Sequence, residues 1–135
     1  MAETFQLEIV TPAKQVVKDV AAEEAQIPGQ NGYLGVLPGH APLITELKAG
    51  ALTYRSSGTT YTLSVAWGFA EVLPDKVTIL AETAERPQDI DVARAEKAKA
   101  RAEERLKSGN PDVDYDRAEE ALERAEARLK VASEK

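Results

Sequence analysis

The five residues ERPQD, at positions 85–89, mark the point where this sequence changes from one kind of structure to another. Pro87 disfavours a helical conformation at Arg86 and cannot donate a hydrogen bond within a strand ladder. Six of the seven aromatic residues precede this point, whereas half of the residues after Pro87 are charged. We therefore predict two domains, a β-sandwich over 1–86 and a helical unit over 87–135.

The composition of the whole chain excludes several classes of function. The net charge is -6, so attraction to nucleic acid or to anionic lipid is not expected. Because cysteine is absent, the chain cannot form disulfides, thiolate nucleophiles or thiolate metal sites. No apolar run approaches the ~20 residues that span a bilayer, and the start of the sequence lacks the features of a signal peptide. Any work at a membrane is expected to depend on a partner.

The first domain has the alternation of polar and apolar residues that is typical of strands. Phe5, Leu7 and Ile9 alternate with polar neighbours, which is the period of a half-buried strand. The segment 51–82 repeats this pattern around two turn sequences, SSGT and PDK, and so predicts a meander of at least three strands. Short strands joined by such turns favour a sandwich or a small barrel.

Between these strands lies a segment, 27–47, that is too rich in glycine and proline to predict regular structure. It nevertheless carries an apolar group that either packs on the core or contacts a partner, and exposure would decide between these: Tyr33, Leu34, Val36 and Leu37. The lone histidine, His40, has no second histidine or cysteine with which to form a zinc site. We interpret it as bracing the loop or contacting a partner.

The second domain predicts two helices. Asp89 or Asp91 can cap the first helix, and Asp116 with Glu119 fits a capping box for the second. Gly109 supplies a left-handed end to the first helix. Since the connection is short, the two helices are predicted to be antiparallel neighbours. The predicted fold class is α+β, an N-terminal β-sandwich followed by a C-terminal antiparallel two-helix hairpin.

The two helices repeat one another. Residues 91–107 and 114–130 agree at 11 of 17 positions. The second helix carries a narrow apolar seam at coiled-coil-like spacing: Ala118, Leu122, Ala125, Leu129 and Ala132. Each buried methylene contributes only ~0.8 kcal/mol, and alanines offer few of them. We therefore predict a weakly docked hairpin that can move.

Each helix also carries a stripe of arginines. Like charges four residues apart, at Arg101/Arg105 and Arg124/Arg128, each cost a helix ~0.2–0.5 kcal/mol unless an anion lies between them. One interpretation is a solvated face neutralised by neighbouring glutamates. The other is a polyanion site, in which guanidinium groups bind phosphate oxygens, or a contact with a carboxylate-lined partner.

Four segments together resemble the epsilon subunit of bacterial F-type ATP synthases. They are GYLGVLPGHAPL (32–43), WGFAEV (67–72), VTILAE (77–82) and DIDVARA (89–95). The resemblance covers essentially the whole chain and implies a non-catalytic subunit, with no catalytic residue, no metal and no required cofactor. Its implied partners are the gamma subunit and the rotor c-ring, with the membrane reached only through them, at the cytoplasmic face of the bacterial plasma membrane.

The resemblance also implies a mechanism. In such proteins the hairpin folds on the sandwich or extends into the catalytic alpha/beta hexamer, where it inhibits hydrolysis, and some members bind ATP as a regulatory ligand. The associated pattern is present as Ile90, Asp91, Arg94 and Ala95. By the same resemblance, Arg101, Arg124 and Arg128 are candidates for the phosphates, with Asp91 and Glu85 nearer the adenine. Tyr33 stands where an acidic residue often precedes the loop's Leu-Gly pair.

Two rival functions are weighed against the residues alone. An enzyme would need convergent titratable groups, which scattered acids on a charged helix do not supply. A free-standing β-sandwich binding module with a coiled-coil hairpin fits the composition and predicts self-association through the alanine seam. The stalk interpretation instead predicts a monomer when the chain is isolated.

Overall fold

The chain before Pro87 folds into eight β-strands, which the computed structural model shows within the described residues 3–134. Their bounds are β1 (Phe5–Val10), β2 (Gln15–Ala22), β3 (Glu24–Gly29), β4 (Gly32–Val36), β5 (Leu43–Glu46), β6 (Gly50–Ser56), β7 (Thr59–Val72) and β8 (Lys76–Glu85). The predicted meander is confirmed as β6–β7–β8, whose two turns contain SSGT and PDK. Residues 1, 2 and 135 of the two predicted domains lie outside the described residues.

The strands form one continuous hydrogen-bonded sheet that folds over itself into a sandwich. Their order is β2-β1-β8-β7-β6-β3-β4, and β5 pairs with β7 off this path. Only the β1–β8 pair is parallel. All eight strands except β5 contribute fully buried side chains to a single core, in which β2 also contacts β6. Alternation in β1, where Phe5, Leu7 and Ile9 are buried, confirms the predicted inward face.

The segment 27–47 contains strands, so the prediction that it lacks regular structure is wrong. Strands β4 and β5 lie within it, and β3 ends at Gly29. The glycines serve the tight β3–β4 turn, where Gly32 has φ +122°. Pro28 lies beyond the part of β3 that pairs with β6, which ends at Gln26. Its missing amide hydrogen therefore interrupts no ladder on that side.

A backbone irregularity divides β7 into two halves. Trp67 and Gly68 have φ of 57° and 114°, and a Cβ on Gly68 would lie 1.9 Å from the carbonyl oxygen of Leu80. Only glycine fits this position. The first half of β7 pairs with β6 and the second half pairs with β5. The irregularity thus positions β5 beside the end of β7, on the side opposite β8.

Two helices follow a short 3-10 turn at Pro87–Asp89: α1 (Val92–Lys107) and α2 (Tyr115–Ala132). Their contact confirms the predicted hairpin. Between them, Gly109 has φ +68°, as the predicted left-handed helix end requires.

The cap of α1 is Asp91, one of the two predicted candidates, whose Oδ1 accepts a hydrogen bond from the Arg94 amide at 3.0 Å. The capping box predicted at Asp116 and Glu119 is wrong. Asp114 caps α2 instead and accepts from the Arg117 amide at 3.1 Å. The helix therefore begins earlier than predicted, and Asp116 lies in its first turn. A negative carboxylate there interacts favourably with the helix dipole.

The interface between the helices is made largely of alanine. Its buried members are Ala95, Ala102, Ala118 and Ala125, while Leu122 and Leu129 of the predicted seam are half-buried. The hairpin reaches the sandwich mainly through α2, which contacts β6 and β7. A second, small core forms there from Ala51, Ile90, Val131 and Ala132. This cluster is far smaller than the core of the sandwich.

Candidate functional site

The strongest polar contact between the hairpin and the sandwich joins Arg128 of α2 to Glu85, the last residue of β8. The Arg128 Nε donates to Glu85 Oε1 at 2.5 Å, and both side chains are about three-quarters buried, with 26% and 29% exposed. It is the only ion pair between the two parts of the chain within residues 3–134. The structure thus brings together two of the residues predicted to form the site.

Arg124 lies one helical turn before Arg128 but, unlike Arg128, forms no ion pair within residues 3–134. Its side chain is half-buried, and its Nε has no hydrogen-bond partner among the described residues. A buried guanidinium donor without a partner is costly, because its solvation is lost and nothing replaces it. An anion that accepts from this donor would remove that cost.

The remaining predicted site residues divide into exposed and structural groups. Arg94 and Arg101 are exposed, and neither forms an ion pair within residues 3–134. Asp91 is exposed and serves as the helix cap described above. Ile90 belongs to the small second core, and Ala95 is buried between the helices. The side chains of both residues thus pack inside the protein.

The predicted partner-binding residues of the 27–47 segment also divide. Val36 is buried in the sandwich core, and Leu34 packs against this core. Of the two alternatives that the sequence left open, core or partner contact, Val36 is therefore a core residue. Leu37 and Tyr33 are 60% and 57% exposed. The Tyr33 hydroxyl accepts from the Ala51 amide at 3.2 Å, which fixes the ring at the surface.

His40 braces its own loop. Its Nδ1 lies 2.7 Å from the Ala41 carbonyl oxygen, and its amide donates to the Leu37 carbonyl at 3.2 Å. The adjacent Gly39 amide donates to the Pro74 carbonyl at 2.8 Å, which ties this loop to the β7–β8 turn. These hydrogen bonds define the conformation of the loop that follows Leu37.

Sequence reasoning missed an apolar row on the outer face of the sandwich, formed by Val10, Leu80 and Phe69. Leu80 pairs in register with Phe69 on one side and with Val10 on the other. Leu80 and Phe69 are 53% and 51% exposed, and Ile44 on β5 is 69% exposed. The sequence feature that could have predicted this row is the consecutive pair Ile79-Leu80. Two consecutive apolar residues place one apolar side chain on each face of a strand.

Neither a metal centre nor a membrane span is found in the part of the chain that the structure describes. No group of three or more His, Cys, Asp or Glu residues there is arranged to hold a metal ion. None of its helices combines the length and the apolar character needed to cross a bilayer.

Comparison with known families identifies both halves of this architecture. The family model of the ATP synthase delta/epsilon chain β-sandwich domain matches residues 4–87. That of the ATP synthase delta/epsilon chain long α-helix domain matches residues 88–133. A sandwich followed by a helical hairpin is thus the domain pair of the delta/epsilon class of ATP synthase subunits.

Curated relatives narrow this class. The chain is 69% identical over 111 residues to the ATP synthase epsilon chain of Koribacter versatilis, covering 82% of this chain and 78% of that relative. It is 53% identical to the ATP synthase epsilon chain of Desulfosudis oleivorans, with 81% and 82% covered. The chain belongs to the ATP synthase epsilon chain family.

Solved structures contain the same fold. A chain of the Euglena gracilis mitochondrial ATP synthase, in a structure of OSCP, F1 and c-ring, superposes with a TM-score of 0.85 at 25% identity. The match covers 98% of this chain and 83% of that one. A chain from the Tetrahymena thermophila mitochondrial ATP synthase central stalk and c-ring gives a TM-score of 0.57 at 14% identity, which supports the fold alone.

Proposed function

We propose that this chain is the non-catalytic epsilon subunit of an ATP synthase central stalk, where it links the gamma subunit to the rotor c-ring. Its membership of the epsilon chain family supports this role, as does its likeness to a chain solved together with F1 and a c-ring. The subunit lies at the cytoplasmic face of the bacterial plasma membrane and is held there by its partners. It requires no cofactor, and it is a monomer when isolated.

The partner surfaces are the exposed apolar residues of the sandwich. Leu37, in the loop after β4, and Tyr33, near the start of β4, contact the c-ring and the base of gamma. The row of Val10, Leu80 and Phe69 offers gamma an apolar strand face. Exposed apolar side chains that lie together on a sheet favour an interface, because they gain free energy when a partner removes them from water.

We predict that Leu37→Asp reduces the amount of gamma and c-ring that co-purifies with this subunit, because a charge in an apolar contact loses its hydration. A loss of about 10-fold or more in recovered complex is expected, equivalent to at least ~1.4 kcal/mol. Thr60→Asp, at an exposed position near the start of β7, is the matched control. Normal recovery of the complex with Leu37→Asp would contradict the assignment of this loop.

The hairpin regulates hydrolysis by changing position. Folded on the sandwich it leaves the catalytic alpha/beta hexamer free, and extended it enters the hexamer and inhibits ATP hydrolysis. The observation that carries this proposal is the small size of the docking contact, which has four apolar residues and one ion pair between two parts of the chain. A contact of this size is compatible with two nearly balanced states, which a bound ligand or partner can reweight.

ATP is the regulatory ligand of the folded state. Arg124, Arg128, Arg94 and Arg101 contact its phosphates, while Asp91 and Glu85 lie nearer the adenine. The unpartnered Nε of Arg124 supports this assignment, since a phosphate oxygen would satisfy it. A ligand at about ten times its dissociation constant stabilises the state that it binds by roughly 1.4 kcal/mol, which is enough to shift such a balance.

Titration calorimetry with ATP tests this assignment. We expect Arg124→Ala and Arg94→Ala to weaken ATP binding by about 10-fold each, because each removes a charge-assisted hydrogen bond to phosphate worth ~1.5–3 kcal/mol. Arg105→Ala, which removes the same charge elsewhere on the hairpin, is the control. Unchanged binding in both site variants would refute the nucleotide site.

A further inference from the structure

The contacts between hairpin and sandwich are concentrated at one end of α2. Arg128 pairs with Glu85, and Val131, three residues later, lies in the small core with Ala51 and Ile90. Glu85 immediately precedes the linker between the domains. The ion pair and the apolar cluster therefore hold the last turns of α2 at the point where the hairpin leaves the sandwich.

The other half of α2 approaches the sandwich without such contacts. A cavity of about 310 Å³ lies there, between the helix and the body, and its lining residues include Lys48, Trp67, Asp116, Glu119 and Glu120. Within residues 3–134 none of these charged groups forms an ion pair, and the buried Nε1 of Trp67 has no hydrogen-bond partner. The docking of the whole hairpin thus depends on its anchored end.

The start of the linker is fixed separately. The Arg86 guanidinium donates through Nη2 to the Val16 carbonyl oxygen on β2 at 3.0 Å. Glu85 therefore has a defined position on the body whether or not Arg128 is beside it. A fixed carboxylate costs less conformational entropy when it forms an ion pair than a mobile one does.

We propose that Glu85 and Arg128 form an ionic latch, which holds the hairpin closed in the absence of any ligand. In this closed state the Nε of Arg124 has no hydrogen-bond partner among residues 3–134, so this arginine is available to receive an anion. This inference rests on the proposed movement of the hairpin and assigns its ligand-free closure to two residues.

Distance measurement in the full-length chain without nucleotide tests the latch. Because the sequence contains no cysteine, Thr60→Cys on the sandwich and Lys107→Cys at the end of α1 give two unique labelling sites. Pulsed electron–electron double resonance then measures the distance between spin labels at these two sites. The distribution of distances gives the fractions of closed and open hairpin. We expect Glu85→Gln and Arg128→Gln each to raise the ratio of open to closed about fivefold, as for a partly buried ion pair at the upper end of measured values.

Two further variants separate the pair from general charge effects. Exchanging the residues, Glu85→Arg with Arg128→Glu, is expected to restore most of the closed fraction. Arg105→Gln removes one positive charge outside the contact and should leave the distribution unchanged.

Wild-type distributions in both single variants would overturn the latch. If ATP or gamma still moves the hairpin under those conditions, only the latch is wrong and the proposed function stands. A hairpin that stays closed in every variant, with ATP and with gamma alike, would overturn the latch and the proposed movement together. Circular dichroism of each variant confirms that its helices and sheet are formed.

Discussion

Asp91 and Asp114 occupy the same position in the two copies of the helical repeat, and both cap a helix. Each accepts a hydrogen bond from the amide of the arginine three residues later, at 3.0 Å and 3.1 Å. The sequence alignment of the two helices already paired these aspartates. The capping box at Asp116 was favoured because it matches a local pattern, but the repeat was the better guide to the start of α2.

Replacing these two aspartates separately tests the assignment. Asp114→Ala should lower the stability of the first turn of α2 by about 1 kcal/mol, since it removes an N-cap. Asp116→Ala should cost less, about 0.3 kcal/mol, because it removes only an exposed interaction with the helix dipole. Amide hydrogen exchange at Arg117 and Ala118 gives the measurement. Equal or reversed effects of the two substitutions would contradict the observed cap.

Among the elements, those with a strong periodic pattern could be predicted from the sequence and those fixed by tertiary pairing could not. The alternation in β1 and the meander β6–β7–β8 were clear, and so was the break at Pro87. Strands β4 and β5 were missed because glycine and proline lower local strand propensity, whereas their partners β3 and β7 supply the hydrogen bonds. Pairing between distant segments has no local signature.

The sequence predicted which residues form the candidate site better than it predicted their pairing and exposure. The arginine stripes were visible, but helical spacing alone could not distinguish the paired Arg128 from the unpartnered Arg124. That difference depends on where β8 ends. Likewise, the loop sequence identified Leu37 but could not separate it from the buried Val36, since exposure depends on how the sandwich closes over the loop.

The whole molecule consists of a large, well-packed sandwich and a hairpin attached to it through a small contact. The sandwich core takes fully buried residues from seven strands, while four residues form the core beneath α2. Such a difference permits the hairpin to leave without unfolding the sandwich, because local opening costs only the contacts that it breaks. The proposed movement of the hairpin depends on this asymmetry.

The most direct test follows the distance between Thr60→Cys and Lys107→Cys while ATP is added to the isolated chain. The account predicts a mixture of short and long distances, with the short one gaining population as ATP rises. With Arg124→Ala the same titration should leave the mixture unchanged. A single short distance that neither ATP nor the gamma subunit alters would contradict the account, because the hairpin would then be a fixed part of the sandwich.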